Sequence, residues 1–460
     1  MSTTPLPQTN RALRLSYATV WRWHFYAGLF CIPFVIWLAC TGALYLFKPQ
    51  IDAWLDRPYD QLRLSGPAAP ASAQVQAALA AVPGAMLDAY ELPTHPDGAS
   101  RVLVGMGRSQ YRVYVHPQTL QVLQVVSEDR RLTRLLFNLH GELLMGNKGS
   151  MLVELAASWT IVMLLTGLYL WWPRQSKGLG GLVYPRLNLP GRPWWRDLHS
   201  VLGFWVSAFT LFLLVSGLPW AKSWGRMLKE VREWSAGMSI QQDWTVGSEG
   251  ELAERQAQHQ AQQHQHHHHG GARGVAMDAQ AWDALDRITP LAQSLGLAAP
   301  ALLSPPRQPG GPWVLRSDAQ NRPLRETVGI DAASATVVSR ETFDQRPLID
   351  RLVGYGVAIH EGQMFGWINQ ALGVFTALGL VTVSVSGLVL WWRRRPGGRL
   401  GAPPARPGYR PALSLTLLMA ALGLLLPLLG ITLLAVLVLD RWVFPRLGPV
   451  ARFMDLQARS

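Results

Sequence analysis

The sequence predicts an integral membrane, all-α helical bundle of four core helices plus a fifth. It also predicts an internal duplication and two small α+β modules outside the membrane. Three observations carry this. Five apolar stretches, at about 24–47, 150–172, 199–221, 369–392 and 412–439, each reach the roughly 20 residues that a spanning helix needs. Arginine and lysine gather in alternate connections between them. The second half also repeats the first. His140 and His360 lie 220 residues apart, and at that offset Gly146 matches Gly366, Gly167-Leu168 matches Gly387-Leu388, and Trp171-Trp172 matches Trp391-Trp392. At an offset of 175, His24 matches His199, Gly28 matches Gly203, and Thr41-Gly42 matches Ser216-Gly217.

The elements follow in order. Residues 1–23 form a basic leading segment. The first span, 24–47, is too long for a cleaved leader and no A-x-A site follows it, so it reads as an uncleaved anchor. It holds the only two cysteines, Cys31 and Cys40. Nine helical residues separate them by about 13.5 Å, beyond the roughly 4.4–6.8 Å of a disulfide. Both read as buried apolar side chains. The first outer module, 48–149, opens with a Pro/Ala-rich linker and a helix over Ser72–Val82. Alternating strands follow at 101–105, 111–115 and 121–126, the last two joined by the turn His116-Pro-Gln-Thr. The second span is 150–172, a loop covers 173–198, and the third span is 199–221. The second module, 222–368, repeats the scheme with a helix over Met277–Leu295, strands at 313–316, 326–330 and 336–339, and a turn at Asp331-Ala-Ala-Ser. Its segment 241–274 is rich in Gln and His, with His259, His264 and His266–His269 inside an insertion at 258–271. Such a tract is unstructured on its own and is either a solvated insertion or a weak metal trap. After the fourth span, 369–392, and a loop, 393–411, comes the fifth apolar stretch, 412–439. Pro427 and Gly430 interrupt it, which predicts a kinked helix or a re-entrant hairpin. The tail is 440–460.

Composition excludes several classes. Of 460 residues 49% are hydrophobic, 20 are Trp and only 15% are charged, which is unlike an ordinary soluble enzyme. The net charge of +13 raises the question of nucleic acid, and its placement answers it. Arg11, Arg14 and Arg22 precede the first span. Arg174, Lys177, Arg186, Arg192 and Arg196 lie between the second and third. Arg393, Arg394, Arg395, Arg399, Arg406 and Arg410 lie between the fourth and fifth. This is the positive-inside pattern. It places the N-terminus in the cytoplasm, both modules outside and the tail outside, with membrane lipid as the surrounding partner and no nucleic acid. Trp171-Trp172 and Trp391-Trp392 stand at the inner interface as aromatic anchors.

Four histidines mark the core helices at matched depths. His24 and His199 start the first and third spans on the inner side, while His140 and His360 precede the second and fourth on the outer side. Imidazole is the commonest metal ligand among side chains. Two axial ligands of one haem iron must share a depth on opposite faces of a flat macrocycle, so His24 pairs with His199 and His140 with His360. No C-x-x-C-H occurs, so the two haems are expected to be held non-covalently. Gly28 and Gly203 lie one turn beyond their histidines on the same face. Gly42, Gly167, Gly217 and Gly387, each preceded by Ser or Thr, are expected to leave room for a porphyrin edge. Small-residue helix packing is the competing explanation for these glycines. A zinc or copper site competes for the histidines, though no Cys, Asp or Glu cluster accompanies any of them. Glu142 and Glu361 are candidate partners of the outer pair. Arg22, Arg196, Arg131 and Arg351 are candidate partners of anionic propionates or simple topology charges. His95 and His116 read as solvated.

The stretches Trp23-His-Phe-Tyr-Ala-Gly-Leu, Leu139-His-Gly-Glu-Leu, Leu198-His-Ser-Val-Leu-Gly-Phe and Ile359-His-Glu-Gly, the ending Trp391-Trp-Arg-Arg-Arg and the hairpin Tyr114-Val-His-Pro-Gln-Thr resemble the PepSY-associated transmembrane family. The likeness covers about 16–440. It implies PepSY-like periplasmic modules and a multi-pass protein of the bacterial inner membrane. It also implies two haem b groups with His24, His199, His140 and His360 as axial ligands, and reduction of a ferric siderophore or other ferric complex. Three features depart from the family pattern. His116 stands where the hairpin usually has Asp, the His-rich insertion is extra, and no flavodoxin- or ferredoxin-reductase-like domain is attached. The electron donor is therefore expected to be a separate cytoplasmic flavoprotein or a quinol. The alternatives are a membrane-anchored sensor or binding module without redox activity, and an iron or haem permease. The few polar residues of the spans weigh against a permease.

Overall fold

A computed structural model describes residues 8–173, 178–236, 279–306, 310–403 and 413–454, together with Leu252, Gln256 and Met277. The chain divides into two compact units. One comprises Met1–Ala43, His140–Ile240 and Ala371–Ser460, and the other Leu44–Leu139 and Gln241–Gln370. The His-rich expectation for 241–274 falls outside the described residues, Leu252 and Gln256 apart.

The first unit is helical. Among the described residues four helices are long and apolar enough to cross a membrane: Tyr17–Tyr45, Gly146–Trp171, Arg192–Trp220 and Gly366–Trp392. They are called the first to fourth spans below. Much of their apolar surface faces outward, including Trp205 at 54% and Leu378 at 64% exposure, as lipid-facing helices require. The helix carrying the first span begins at Gln8, so His24 lies well inside it rather than at its end. His199 is likewise two turns inside the helix Arg192–Gly217. The other two histidines precede the second and fourth spans, as expected, but on elements of their own. His140 and His360 belong to short separate helices, Leu132–Glu142 and Leu348–His360. A tight turn at Leu143 and Leu144, both with positive φ, detaches the first of these from the second span. Gly146 and Gly366, matched by the repeat, open their spans with φ +56° and +58°.

The fifth apolar stretch is not a span. It forms two short helices, Leu413–Leu425 and Pro427–Val438, with Leu426 extended between them. A Cβ on Gly430 would collide with the backbone of Gly423. In one straight helix residues seven apart lie about 10.5 Å apart, so this contact means the chain folds back as a hairpin. Leu426 and Leu429 are buried against Ile161, Val162 and Leu218. Trp159 and Trp224 donate to Thr432 Oγ1 and Leu425 O, both at 3.1 Å. Beyond the hairpin, Leu400 N donates to Phe453 O at 2.8 Å and the Tyr26 hydroxyl to Met454 O at 3.2 Å. The tail thus returns, as far as Met454, to the end of the bundle that carries His24, which corrects the placement of its described residues on the far side. Cys31 is buried but Cys40 is exposed, because nine residues turn the helix to a different face.

The second unit corrects the expectation of two separate modules. Both repeats feed one eight-stranded antiparallel sheet of order β4-β3-β2-β1-β5-β6-β7-β8. The strands are β1 Met86–Glu91, β2 Ser100–Met106, β3 Ser109–Val115, β4 Val122–Ser127, β5 Ala301–Ser304, β6 Trp313–Ser317, β7 Glu326–Asp331 and β8 Thr336–Thr342. The seam is β1 with β5, pairing Tyr90 with Leu303 and Glu91 with Leu302. Helices Ala71–Ala81 and Ala279–Ser294 cover one face, burying Val75, Leu285, Ile288, Leu303, Leu315 and Trp313 in one core. Each such side chain contributes about 1.5–3 kcal/mol. Asp286 of the second helix accepts from Ser72 N at 2.8 Å and from its hydroxyl at 2.5 Å, which ties the two repeats together. The other face of the first repeat is ionic. Arg101 pairs with Asp60, Arg112 with Glu91 and Glu128, and Arg131 with Asp52 and Asp56.

Candidate functional site

The inner histidines meet. The ring centres of His24 and His199 stand 6.3 Å apart, with planes at 82°. Each ring is held from behind by the neighbouring span of its own repeat. His24 Nδ1 lies 3.0 Å from Met163 O and 3.2 Å from Thr166 Oγ1. His199 Nδ1 lies 2.9 Å from Val383 O and 3.3 Å from Ser386 Oγ. A carbonyl can only accept, so Nδ1 carries the proton in both rings and Nε2 keeps its lone pair. This is the tautomer a metal requires, and the carbonyl raises the ligand's donor strength.

The same seat recurs for an outer histidine. His140 Nδ1 lies 3.1 Å from Thr41 Oγ1, and the ring also bonds the backbone of Leu38. In all three seats the backbone partner lies three residues before the Ser or Thr, and the glycine after it faces the ring. A Cβ on Gly42 would sit 2.9 Å from His140 Cε1, one on Gly167 3.0 Å from His24 Cε1, and one on Gly387 3.2 Å from His199 Cε1. These glycines were expected beside a porphyrin edge, but the atoms they meet are imidazole carbons. The sequence reading missed this, although its signal was present in four Ser/Thr-Gly pairs for four histidines. The fourth pair has the same local geometry, with Ser216 Oγ donating to Leu213 O at 3.2 Å. Gly217 ends the helix of the third span. Beside the inner rings, a Cβ on Gly203 would meet nothing within 4 Å, and one on Gly28 only Met163 Sδ at 3.9 Å.

The other candidates divide. His360 ends its helix in the second unit, so its pairing with His140 rests on the sequence repeat. Glu142 and Glu361 are buried at 4% and 9% exposure. Burial pushes the Glu361 carboxyl above its ordinary range, against the pull of Arg322 and Arg325. Arg22 is engaged by Pro403 O at 2.7 Å, Arg196 by Asp197, and Arg131 by Asp52. His95 is exposed. His116 is half-buried, and its Nδ1 accepts from Gln118 N and Thr119 N at 3.2 and 3.3 Å. It holds the turn just as Asp331 does in the second repeat, where a carboxylate accepts from Ser334 N at 2.7 Å. Among the described residues no group of three or more His, Cys, Asp or Glu is gathered to hold a metal ion.

The spacing of the inner pair fits a bis-imidazole iron. A metal stands about 2.0 Å from each ligating imidazole nitrogen. A five-membered ring with bonds of about 1.33 Å puts a nitrogen about 1.1 Å from its centre. Two rings ligating one ion from opposite sides are therefore about 6.2 Å apart, and the His24–His199 spacing is 6.3 Å.

A family model described as PepSY-associated TM region matches residues 21–394. No curated protein matches the chain.

Proposed function

The chain belongs to the PepSY-associated TM family, and on that premise we propose that it is a di-haem b electron-transfer protein of the inner membrane that reduces a ferric complex, a ferric siderophore by preference, on the outer side. The observation that carries this reading is the inner histidine pair, spaced for one iron with both Nδ1 protons tied to carbonyls. Bound at two bis-histidine sites, haem would supply one-electron transfer with no open iron position for oxygen chemistry.

The chain's own residues account for the rest. Met163 O and Val383 O fix the tautomer and aim of the inner rings, and the Leu38 backbone and Thr41 Oγ1 help hold His140. Gly42, Gly167 and Gly387 let those rings lie against the backbone of the neighbouring helix. The apolar spans keep water from the path between the inner and outer sites. The basic loops favour a cytoplasmic N-terminus and His24/His199 end, where a flavoprotein or a quinol would supply electrons. Reduction to ferrous iron weakens hard oxygen ligation and frees the metal from its carrier.

The test is optical. Purified protein is expected to show a Soret band, a sharp reduced α band and two haems per chain by pyridine haemochrome. His24→Ala is expected to lose one haem and keep the other. A colourless preparation from haem-replete cells refutes the reading and leaves a membrane-anchored binding module.

A further inference from the structure

Two arginines at the His24/His199 end of the bundle carry an argument of their own. The Arg394 guanidinium lies over the rings of Trp21 at 4.8 Å and Phe25 at 5.4 Å, and its Nη2 donates to Gly401 O at 2.8 Å. Trp21 and Phe25 flank His24, one turn before it and one residue after, so this cation lies level with the inner ligand along the helix. Arg192 lies seven residues before His199, two turns along the same helix face and about 10.5 Å toward the same end. The two charges feel each other. Burial and then the like charge of Arg192 lower the Arg394 guanidinium from its ordinary range.

No carboxylate of this chain answers them. Among the described residues neither forms an ion pair. The sequence has no Asp or Glu before Asp52, none in 172–196 and none in 391–439. Asp197 is wholly buried and held by Arg186 at 2.7 Å and Arg196 at 3.0 Å. The contrast decides between explanations. Arg196, which flanks His199 in sequence, has a carboxylate partner in Asp197, whereas Arg22, like Arg394, has a backbone carbonyl. Arg192 and Arg394 instead repel one another, an arrangement that costs energy unless an anion enters.

We propose that Arg192 and Arg394 seat the carboxylates of the cofactor held between His24 and His199, the two propionates of a haem. This rests on the di-haem reading. Guanidinium forks match carboxylates in geometry, and two cations beside an iron centre favour its reduced form, because reduction adds negative charge.

The test is a spectroelectrochemical titration of the purified full-length protein. In Arg192→Gln/Arg394→Gln one haem is expected to become harder to reduce by about tenfold, 59 mV for a one-electron couple. The second haem should titrate as in the unaltered protein. Arg192→Gln alone, at an exposed position and safe for folding, should give part of that shift, and Arg394→Lys should restore most of it. A two-haem parent whose double variant titrates identically overturns this assignment alone. If that variant also loses retention of anionic vesicles (phosphatidylglycerol in phosphatidylcholine), the pair serves lipid phosphate and the propionate assignment falls. A parent without haem overturns both this assignment and the reading beneath it.

Discussion

Gly167→Ala should cost the protein its inner haem while leaving the fold intact. The new Cβ would stand 3.0 Å from His24 Cε1 and 3.5 Å from its Nδ1. Ordinary carbon–carbon contact begins at about 3.5–4.0 Å, so the ring must retreat by roughly 0.5–1 Å. That retreat stretches the 3.0 Å bond to Met163 O and the 3.2 Å contact with Thr166 Oγ1 beyond useful length. It also moves a ring whose spacing from His199 is 6.3 Å, against a tolerance for metal–ligand distances of about 0.2 Å. Overpacking contributes about 1–3 kcal/mol and the lost hydrogen bond about 1 kcal/mol. The total, about 2–4 kcal/mol, corresponds to roughly 30- to 1,000-fold weaker retention. Alanine is a better helix former than glycine by up to about 1 kcal/mol, so the span itself should not suffer. The assay is haem per chain by pyridine haemochrome on monodisperse protein, with one haem expected in place of two. A Gly167→Ala protein with two haems and unchanged reduction potentials would refute the seat as described.

Three further outcomes are expected. Reporters fused after residue 454 and at the N-terminus should lie on the same side of the membrane, because the hairpin returns the tail to the His24 end; opposite sides would mean a fifth span. Acid should loosen the segment Lys48–Asp56. Burial raises the Asp52 carboxyl, but Lys48 and Arg131 outweigh it and hold the group below its ordinary value. Its stabilising contribution is therefore complete above about pH 4 and is lost as pH falls through the lowered value, which hydrogen exchange of 48–56 measures; protection unchanged down to pH 2 would contradict this. His116→Asp should leave thermal stability within about 0.5 kcal/mol while His116→Ala loses about 1 kcal/mol. Equal melting of the two variants would deny His116 its role at the turn.

The histidine pair was legible because a duplication aligned it and because helical periodicity converts spacing into depth. His24 and His199 needed no tertiary information to be placed at one level. Their hydrogen-bond seats were not legible, since Met163 O and Val383 O are backbone atoms that any residue supplies. The sheet seam was hidden for a related reason. β5 is only Ala301–Ser304, too short to show alternation, and Met86–Glu91 places Asp88 and Glu91 among its apolar residues. Leu426-Pro427 stayed ambiguous because a proline inside an aliphatic run either kinks a helix or ends it. Only the Gly423–Gly430 contact separates the two cases. Helix lengths were underestimated because hydropathy reports how much of a helix is apolar, whereas the backbone of the first continues to Gln8 through polar residues.

The β1–β5 seam bears on how such a chain arose. The strand order reads the same from either edge, so the middle of the sheet acts as a local dyad between the repeats. A half-length protein ending between them would carry its first strand as a naked border of unpaired amides and carbonyls. The natural mate for that border is the same border on a sister molecule, in the same antiparallel sense. Gene fusion would then have made permanent an association that two separate polypeptides once had to find by collision.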